Sequence, residues 1–357
     1  MTEATSGRSA IFRGTERDFD LVEHEVPATG PGQVLLRMEL SGICGTDAHM
    51  YDMGTPKPVA LGHENSGIII ELGEGVTHDF TGRPVKLGDR IVPHPRADAV
   101  NVYGFRSDPE SSPPFFTGGF GHYLALGFPN TAFYRVDAPA NVAVLLEPLA
   151  VAMHAVERAR IRLGDTVCVQ GTGAIGLLVI FLAHRAGAAR VIAVGGPQGR
   201  LEVAASLGAD ACIDILQETD PEERTRQVLD LTPGNAGADV VFECAGVKSA
   251  ITEGIGYLRK SGTFVEVGHF VDTGEMTINP NKHLVAKDLT LVAPFSSSRE
   301  HFTRGRALME RDADVLTSLV SHRMPLTRLQ DAFGALLGRY HLDGRDAVKI
   351  AVDPWTE

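Results

Sequence analysis

Thr166-Val167-Cys168-Val169-Gln170-Gly171-Thr172-Gly173-Ala174-Ile175-Gly176 is the stretch that decides the fold. Its first five residues read as a strand, and Ala174–Ala186 reads as a helix. Between them stands Gly-x-Gly-x-x-Gly, the pattern of a dinucleotide-binding turn. Gly171 permits the tight turn, Gly173 lets a pyrophosphate approach the backbone, and Gly176 allows close packing of helix on strand. The helix start at Ala174 and Ile175, with Thr172 in the turn, offers unpaired N–H groups and about half a positive charge to an anion.

Strand and helix keep alternating downstream. Strands are expected at Arg190–Val194, Ala211–Asp214 and Asp239–Glu243, and helices at Arg200–Leu207 and Pro221–Leu231. This order predicts a parallel sheet with right-handed crossovers. Upstream, short runs such as Gln33–Leu40, Ser66–Leu72 and Asp89–Val92 are punctuated by Gly and Pro, as in a β-rich domain. Pro93–Gly119 reads as one long loop. The fold class is therefore α/β, with a β-rich domain over 1–150, a Rossmann domain over 151–290 and a C-terminal segment over 291–357 that ends in a strand near Ala347–Val352. A length of 357 residues suits more than one domain.

The nucleotide fingerprint expects an acid about 20 residues on, at the end of the second strand. Here that strand ends in Gly195-Gly196-Pro197, with no acid. No Arg or Lys at 196–198 grips a 2′-phosphate either, and Arg200 is the nearest cation. NAD and NADP both stay open, with the balance toward NAD.

A net charge of −12 argues against a partner made of phosphate backbone. The N-terminus lacks the apolar core of a signal peptide, and apolar runs such as Ala174–Ala183 fall short of a membrane span. No nucleic-acid or membrane partner is expected, and the location is expected to be cytoplasmic. Four dispersed cysteines without any Cys-x-x-Cys exclude a disulfide scaffold and a zinc ribbon. Cys168, Cys244 and Cys212 are expected in Rossmann strands as buried small residues.

Cys44 is different. Gly42-Ile43-Cys44-Gly45-Thr46-Asp47-Ala48-His49 is followed by Gly62-His63-Glu64 and later by Glu147-Pro148-Leu149. Thiolate, imidazole and carboxylate together make a zinc donor set, and three protein ligands with one open position is the catalytic type. These motifs, in this order and ahead of the glycine turn, resemble the zinc-dependent medium-chain alcohol/polyol dehydrogenase family from about Phe19 to the C-terminus. The resemblance implies a GroES-like β-rich catalytic domain with a Rossmann domain inserted into it. It also implies that Cys44 and His63 bind zinc, with Glu64 and Glu147 as alternating third ligand or water-holding partner. Thr46 and His49 resemble a relay carrying the alcohol proton to solvent, and Asp47 resembles the carboxylate that orients His63. Gly268 is expected to touch the cofactor.

The chemistry fits that assignment. An alcohol yields hydride easily only once its oxygen has lost its proton. Zinc brings the pKa of bound water from about 16 to about 7, roughly 12 kcal/mol of ionisation. Thr46 can both donate and accept a hydrogen bond, and a histidine titrates near neutrality. Many family members carry four close cysteines for a second, structural zinc after the strand ending near Val92. None occurs here, so one zinc is expected.

By the same resemblance Tyr51 and His94 border the substrate, with Phe115, Phe116 and Phe270 as further lining. The aromatic content suggests a bulky or cyclic secondary alcohol or its ketone. The Glu64/Glu147 arrangement, common in polyol dehydrogenases, points to a polyol or sugar instead. A zinc-free quinone or enone reductase and a non-catalytic nucleotide-binding protein are the rival functions. The resemblance further implies a homo-oligomer, dimer or tetramer.

Overall fold

The computed structural model describes residues 6–14, 16–105, 116–338 and 340–357. In chain order come β1 (Ser6–Phe12), β2 (Phe19–Glu25), β3 (Val34–Gly42), α1 (Gly45–Met53), β4 (Val59–Ala60), β5 (Glu64–Leu72), β6 (Arg90–Pro93), β7 (Tyr123–Leu126) and β8 (Phe133–Arg135). Helices α2 (Ala140–Ala143) and α3 (Leu146–Ala159) follow. The alternating stretch is β9 (Thr166–Gln170), α4 (Ala174–Arg185), β10 (Arg190–Gly195), α5 (Gln198–Ser206), β11 (Ala211–Asp214), α6 (Pro221–Asp230), β12 (Ala238–Glu243), α7 (Lys248–Tyr257), β13 (Leu258–Glu266) and β14 (Thr290–Val292). The chain ends with α8 (Arg299–Arg311), α9 (Ala313–Leu316), β15 (Val320–Met324), α10 (Leu329–Leu337), a hairpin of β16 (His341–Leu342) and β17 (Arg345–Asp346), and β18 (Lys349–Val352).

Two compact units result: Met1–Glu147 with Phe302–Glu357, and Pro148–His301. The return to the first unit falls at Phe302 and not at 291, because β14 pairs in parallel with β13 and belongs to the second unit's sheet.

The first unit is built on a sheet ordered β15-β18-β3-β5-β6-β8, with β7 also paired to β3. The C-terminal β18 runs antiparallel to β3, setting Ala351 opposite Gly42 and Val352 opposite Ser41. That pairing brings Lys349 close to the segment leading into Cys44. Phe12, Leu61, Phe120, Leu329, Phe333 and Ile350 lie in a common buried core, which unites the chain's two ends.

Asp79 pins the far side of this unit. It accepts the backbone N–H groups of Thr81, Arg83 and Arg135 at 2.8, 3.0 and 2.9 Å, and the Arg306 guanidinium of α8 at 3.1 Å. The Thr81 hydroxyl also donates to it, at 2.7 Å. A buried carboxylate with five donors is fully satisfied, so its loss strands several of them.

The second unit is a six-stranded, all-parallel sheet ordered β11-β10-β9-β12-β13-β14. Chain direction reverses its march across the sheet at β9, and the crevice at such a switch point is where open α/β sheets bind ligands. Cys168 is buried in β9, as expected, and Cys244 follows β12 half-buried. Cys212 corrects the expectation of burial: it is exposed, because β11 is the sheet's edge strand.

One helical stretch among the described residues, Ala140–Ala159, is long and apolar enough to cross a membrane. Sequence runs alone had suggested no such stretch. Sixty-seven per cent of its apolar window is buried inside the protein, as for a core helix.

Replacing Asp79 by Ala is expected to destabilise the first unit by about 3 kcal/mol, since a buried ion pair and three backbone acceptor bonds vanish together. Urea unfolding followed by tryptophan fluorescence reads this, Trp355 being the sole tryptophan and lying in this unit.

Candidate metal centre and nucleotide site

Helix α1 organises the first site. Cys44 is its N-cap, and Asp47 in the first turn accepts the Cys44 backbone N–H at 2.9 Å through Oδ2. The other oxygen of Asp47 lies 3.2 Å from Nδ1 of His63. One buried carboxylate thus contacts both the helix start and the imidazole ring. Donor atoms of Cys44, His63 and Glu64 all lie within 4.8 Å of one another.

Asp47, Ala48 and Tyr51 are the buried residues of α1. Thr46 and His49 are half-buried, three residues apart and so one turn apart on the helix surface. The Cys44 thiol reaches Oγ1 of Thr46 at 3.7 Å.

Electrostatics around this cluster is dominated by burial. Burial opposes a charged His63, yet Asp47 and then Cys44 outweigh it and hold its proton well above the ordinary histidine range. Glu147, in the first turn of α3, is pushed up to about 7 by burial, with His63 opposing and Glu64 reinforcing the rise.

Lys349 completes the site, and sequence reasoning missed it. It is buried, ion-pairs with Glu64 and donates to the Ile43 carbonyl at 2.9 Å. Burial works against its charge, but Glu64 and then Cys44 keep the ammonium protonated. No spacing signal links position 349 to position 64; only the β18–β3 pairing does.

The donor set suits a zinc ion: one sulfur, one imidazole and one carboxylate converge, with a further buried carboxyl, Glu147, coupled to them.

Of the expected substrate-lining residues, Tyr51 is buried in the core of the first unit. Its ring stacks on Phe333 at 4.7 Å and on Phe19 at 5.8 Å within the core. Phe116 is likewise a core residue, packed with Leu35 and Tyr123. His94 is buried against Phe302, with ring centroids 4.7 Å apart. Phe270 is partly exposed in the second unit. Phe115 lies outside the described residues.

In the second unit the glycine turn has the expected form. Gly171 has φ +89°, and a Cβ on Gly176 would come within 1.8 Å of the Gly171 carbonyl oxygen. A Cβ on Gly173, the N-cap of α4, would meet nothing within 4 Å, which leaves open space above the turn. Thr172 accepts the Gly196 N–H at 3.1 Å and so ties the turn to the end of β10. Gly195 closes β10, and Gly268 follows β13, bonded to the Glu243 carbonyl at 2.9 Å. Arg200 is buried in the first turn of α5. Asp214 of β11 stands in register with Gly195, and its Oδ1 would lie 3.3 Å from a Cβ on Gly196.

Comparison with known proteins gives the family of both domains. Residues 30–134 match the alcohol dehydrogenase GroES-like domain, and residues 174–311 match the zinc-binding dehydrogenase domain. The chain belongs to the zinc-dependent medium-chain dehydrogenase family. It is 32% identical over 349 residues to a sorbitol dehydrogenase of Gallus gallus, covering 92% of this chain and 93% of that one. It is 33% identical over 330 residues to 5-exo-hydroxycamphor dehydrogenase of Pseudomonas putida, covering 86% and 90%. An alcohol dehydrogenase structure from Thermotoga maritima superposes with a TM-score of 0.86 at 27% identity, covering 98% of this chain and 99% of that one. As a member of this family, the chain is an oxidoreductase acting on CH–OH groups, with the α/β fold of a GroES-like and a Rossmann domain.

Lys349→Met is expected to lower stability by about 3–5 kcal/mol in chelator, because Glu64 is left as an unpaired buried charge. Adding Glu64→Gln to the same chain should recover part of that loss. Denaturant midpoints of the three proteins test it; equal midpoints for wild type and Lys349→Met would refute the pairing.

Proposed function

We propose that this chain oxidises a secondary alcohol, with NAD+ as hydride acceptor and one zinc at the centre formed by Cys44, His63 and Glu64. The convergence of those three donors within 4.8 Å, beside the Thr46 hydroxyl, is the observation that carries the reading. When bound, zinc supplies positive charge for the substrate oxygen, and the dinucleotide takes the hydride.

The chain's own residues do the rest. Asp47 holds the His63 ring in one orientation. The Thr46 hydroxyl accepts the alcohol proton while donating its own, and His49, one helical turn on, passes it to solvent. Lys349 ion-pairs with Glu64, while Glu147, whose carboxyl is pushed up to about 7, stands as the alternating partner. The Gly171–Gly176 turn and the start of α4 hold the pyrophosphate.

The substrate reading moves toward a secondary hydroxyl of a polyol or vicinal diol. Tyr51 and Phe116, which had argued for a bulky apolar substrate, belong to the core. The Glu64/Glu147 pair and the sorbitol dehydrogenase relatives both favour the polyol. The same relatives give no support to a zinc-free reductase or a non-catalytic protein.

NAD is favoured over NADP because Asp214 places a carboxylate beside Gly196, and the nearest cation, Arg200, is withdrawn into the protein. A 2′-phosphate there would meet negative charge.

His63→Ala is expected to abolish zinc retention and to reduce kcat/KM for a polyol by more than about a thousandfold. Metal analysis and steady-state rates on sorbitol, butane-2,3-diol and borneol check this; a fully active zinc-free variant would sink the proposal. For cofactor choice, Asp214→Ala should narrow the NADH-over-NADPH preference in fluorescence titrations. Tenfold tighter NADPH binding by the unaltered chain would reverse the assignment.

A further inference from the structure

The carboxyl end of the nucleotide-binding sheet carries a second convergence of ligating side chains. Strand β12 ends on Glu243 and β13 on Glu266, and these two residues are register partners on neighbouring parallel strands. Like charges placed opposite one another on a sheet repel. His269, three residues past Glu266, folds back over the pair. Its Nδ1 lies 3.0 Å from Oε1 of Glu266 and 3.5 Å from Oε2 of Glu243.

The hydrogen-bond inventory leaves this cluster incomplete. Glu243 is fully buried, and its Oε1 accepts the N–H groups of Ala245 and Gly246 at 2.8 and 2.9 Å. Its Oε2, aimed at His269 and Glu266, has no hydrogen-bond partner, and neither does Oε2 of Glu266. A Cβ on Gly268 would sit 2.3 Å from that Glu243 oxygen, so the approach depends on glycine there. A buried carboxylate oxygen facing a second carboxylate requires positive charge, from a proton or a cation. Burial and then Glu266 push the Glu243 carboxyl up to about 8, so without a cation the pair retains a proton at neutral pH.

The distances are also those of donors that share one cation. Two atoms each about 2.1 Å from one ion stand about 3.0 Å apart at a right angle and about 3.4 Å apart in a tetrahedron. The observed 3.0 and 3.5 Å match those values, and all three donor atoms lie within 4.8 Å of one another. His269 also lines a cavity of about 240 Å³ with Lys248, Asp272, Thr273 and Met276, so one member of the cluster borders open space.

We propose that Glu243, Glu266 and His269 form a second divalent-cation site in the nucleotide-binding unit, separate from the Cys44/His63 centre. Two carboxylates and an imidazole suit Zn2+, Co2+ or Mn2+ better than Ca2+, which prefers all-oxygen cages.

Cobalt distinguishes the two sites by their donors. The whole chain, stripped with chelator, is loaded with Co2+ and desalted, and its metal content and absorption spectrum are recorded. The expected result is a second equivalent of Co2+ per chain that adds weak ligand-field bands, beside a first equivalent showing the intense thiolate charge-transfer band of Cys44. The variant Glu266→Gln/His269→Ala should lose the second equivalent and keep the charge-transfer band. A single equivalent in the unaltered chain, or two equivalents in both proteins, overturns the proposal. Should the double variant not fold, calorimetric titration of the zinc-loaded unaltered chain with further Zn2+ decides the matter. Saturable binding of one further equivalent supports the site, and its absence overturns it.

Discussion

Asp47 is the residue on which the metal centre turns. Its two oxygens face different ways, one to the amide of Cys44 and the other to the ring of His63. A helix start and a histidine from a different element are thereby locked to one buried charge. Once Asp47 is fixed, the thiol and imidazole converge, and Thr46 and His49 follow from helical spacing alone. Without it, Cys44 and His63 would be two unrelated side chains on adjoining segments. The cost of burying that carboxylate is met by these contacts and by the proton that His63 holds while no metal competes for it.

A second constraint comes from the end of the chain. β18 must pair with β3 for Lys349 to enter the centre, so closure of the first unit and neutralisation of Glu64 are one event. The centre gathers Cys44, Asp47, His63, Glu64, Glu147 and Lys349 into one electrostatic group, in which His63, Glu147 and Lys349 are tuned by their neighbours. The nucleotide unit repeats the theme with different residues. Its sheet places Glu243 and Glu266 side by side, where ordinary strand register would avoid like charges.

Most of the fold was legible before any coordinates. Strands β9, β10, β11 and β12 fall within one residue of the expected limits, because buried parallel strands are short apolar runs bounded by glycine or a helix cap. The glycine turn was legible because Gly171 takes a positive φ and Gly176 leaves no room for a Cβ, demands that glycine alone meets. The aromatic residues were not legible in the same way. Tyr51 and Phe116 offer a ring that fits a pocket or a core equally well, and only their stacking partners decide between the two. Cys212 shows the same limit, since a strand's position at the edge of its sheet is a property of the sheet.

The sequence by itself determined the two-part α/β organisation, the dinucleotide turn and the residue types that bind metal, because these depend on short-range patterns and on local backbone geometry. Tertiary structure alone decided which acid is held by which cation, as Lys349 is 285 positions from Glu64 in number and in direct contact with it in space. It also decided that Glu243, Glu266 and His269 stand together, and that Asp214 rather than a residue of β10 faces Gly196. The physical reason is common to all three. Strand pairing brings together residues distant in the chain, and burial then turns their proximity into strong electrostatic coupling.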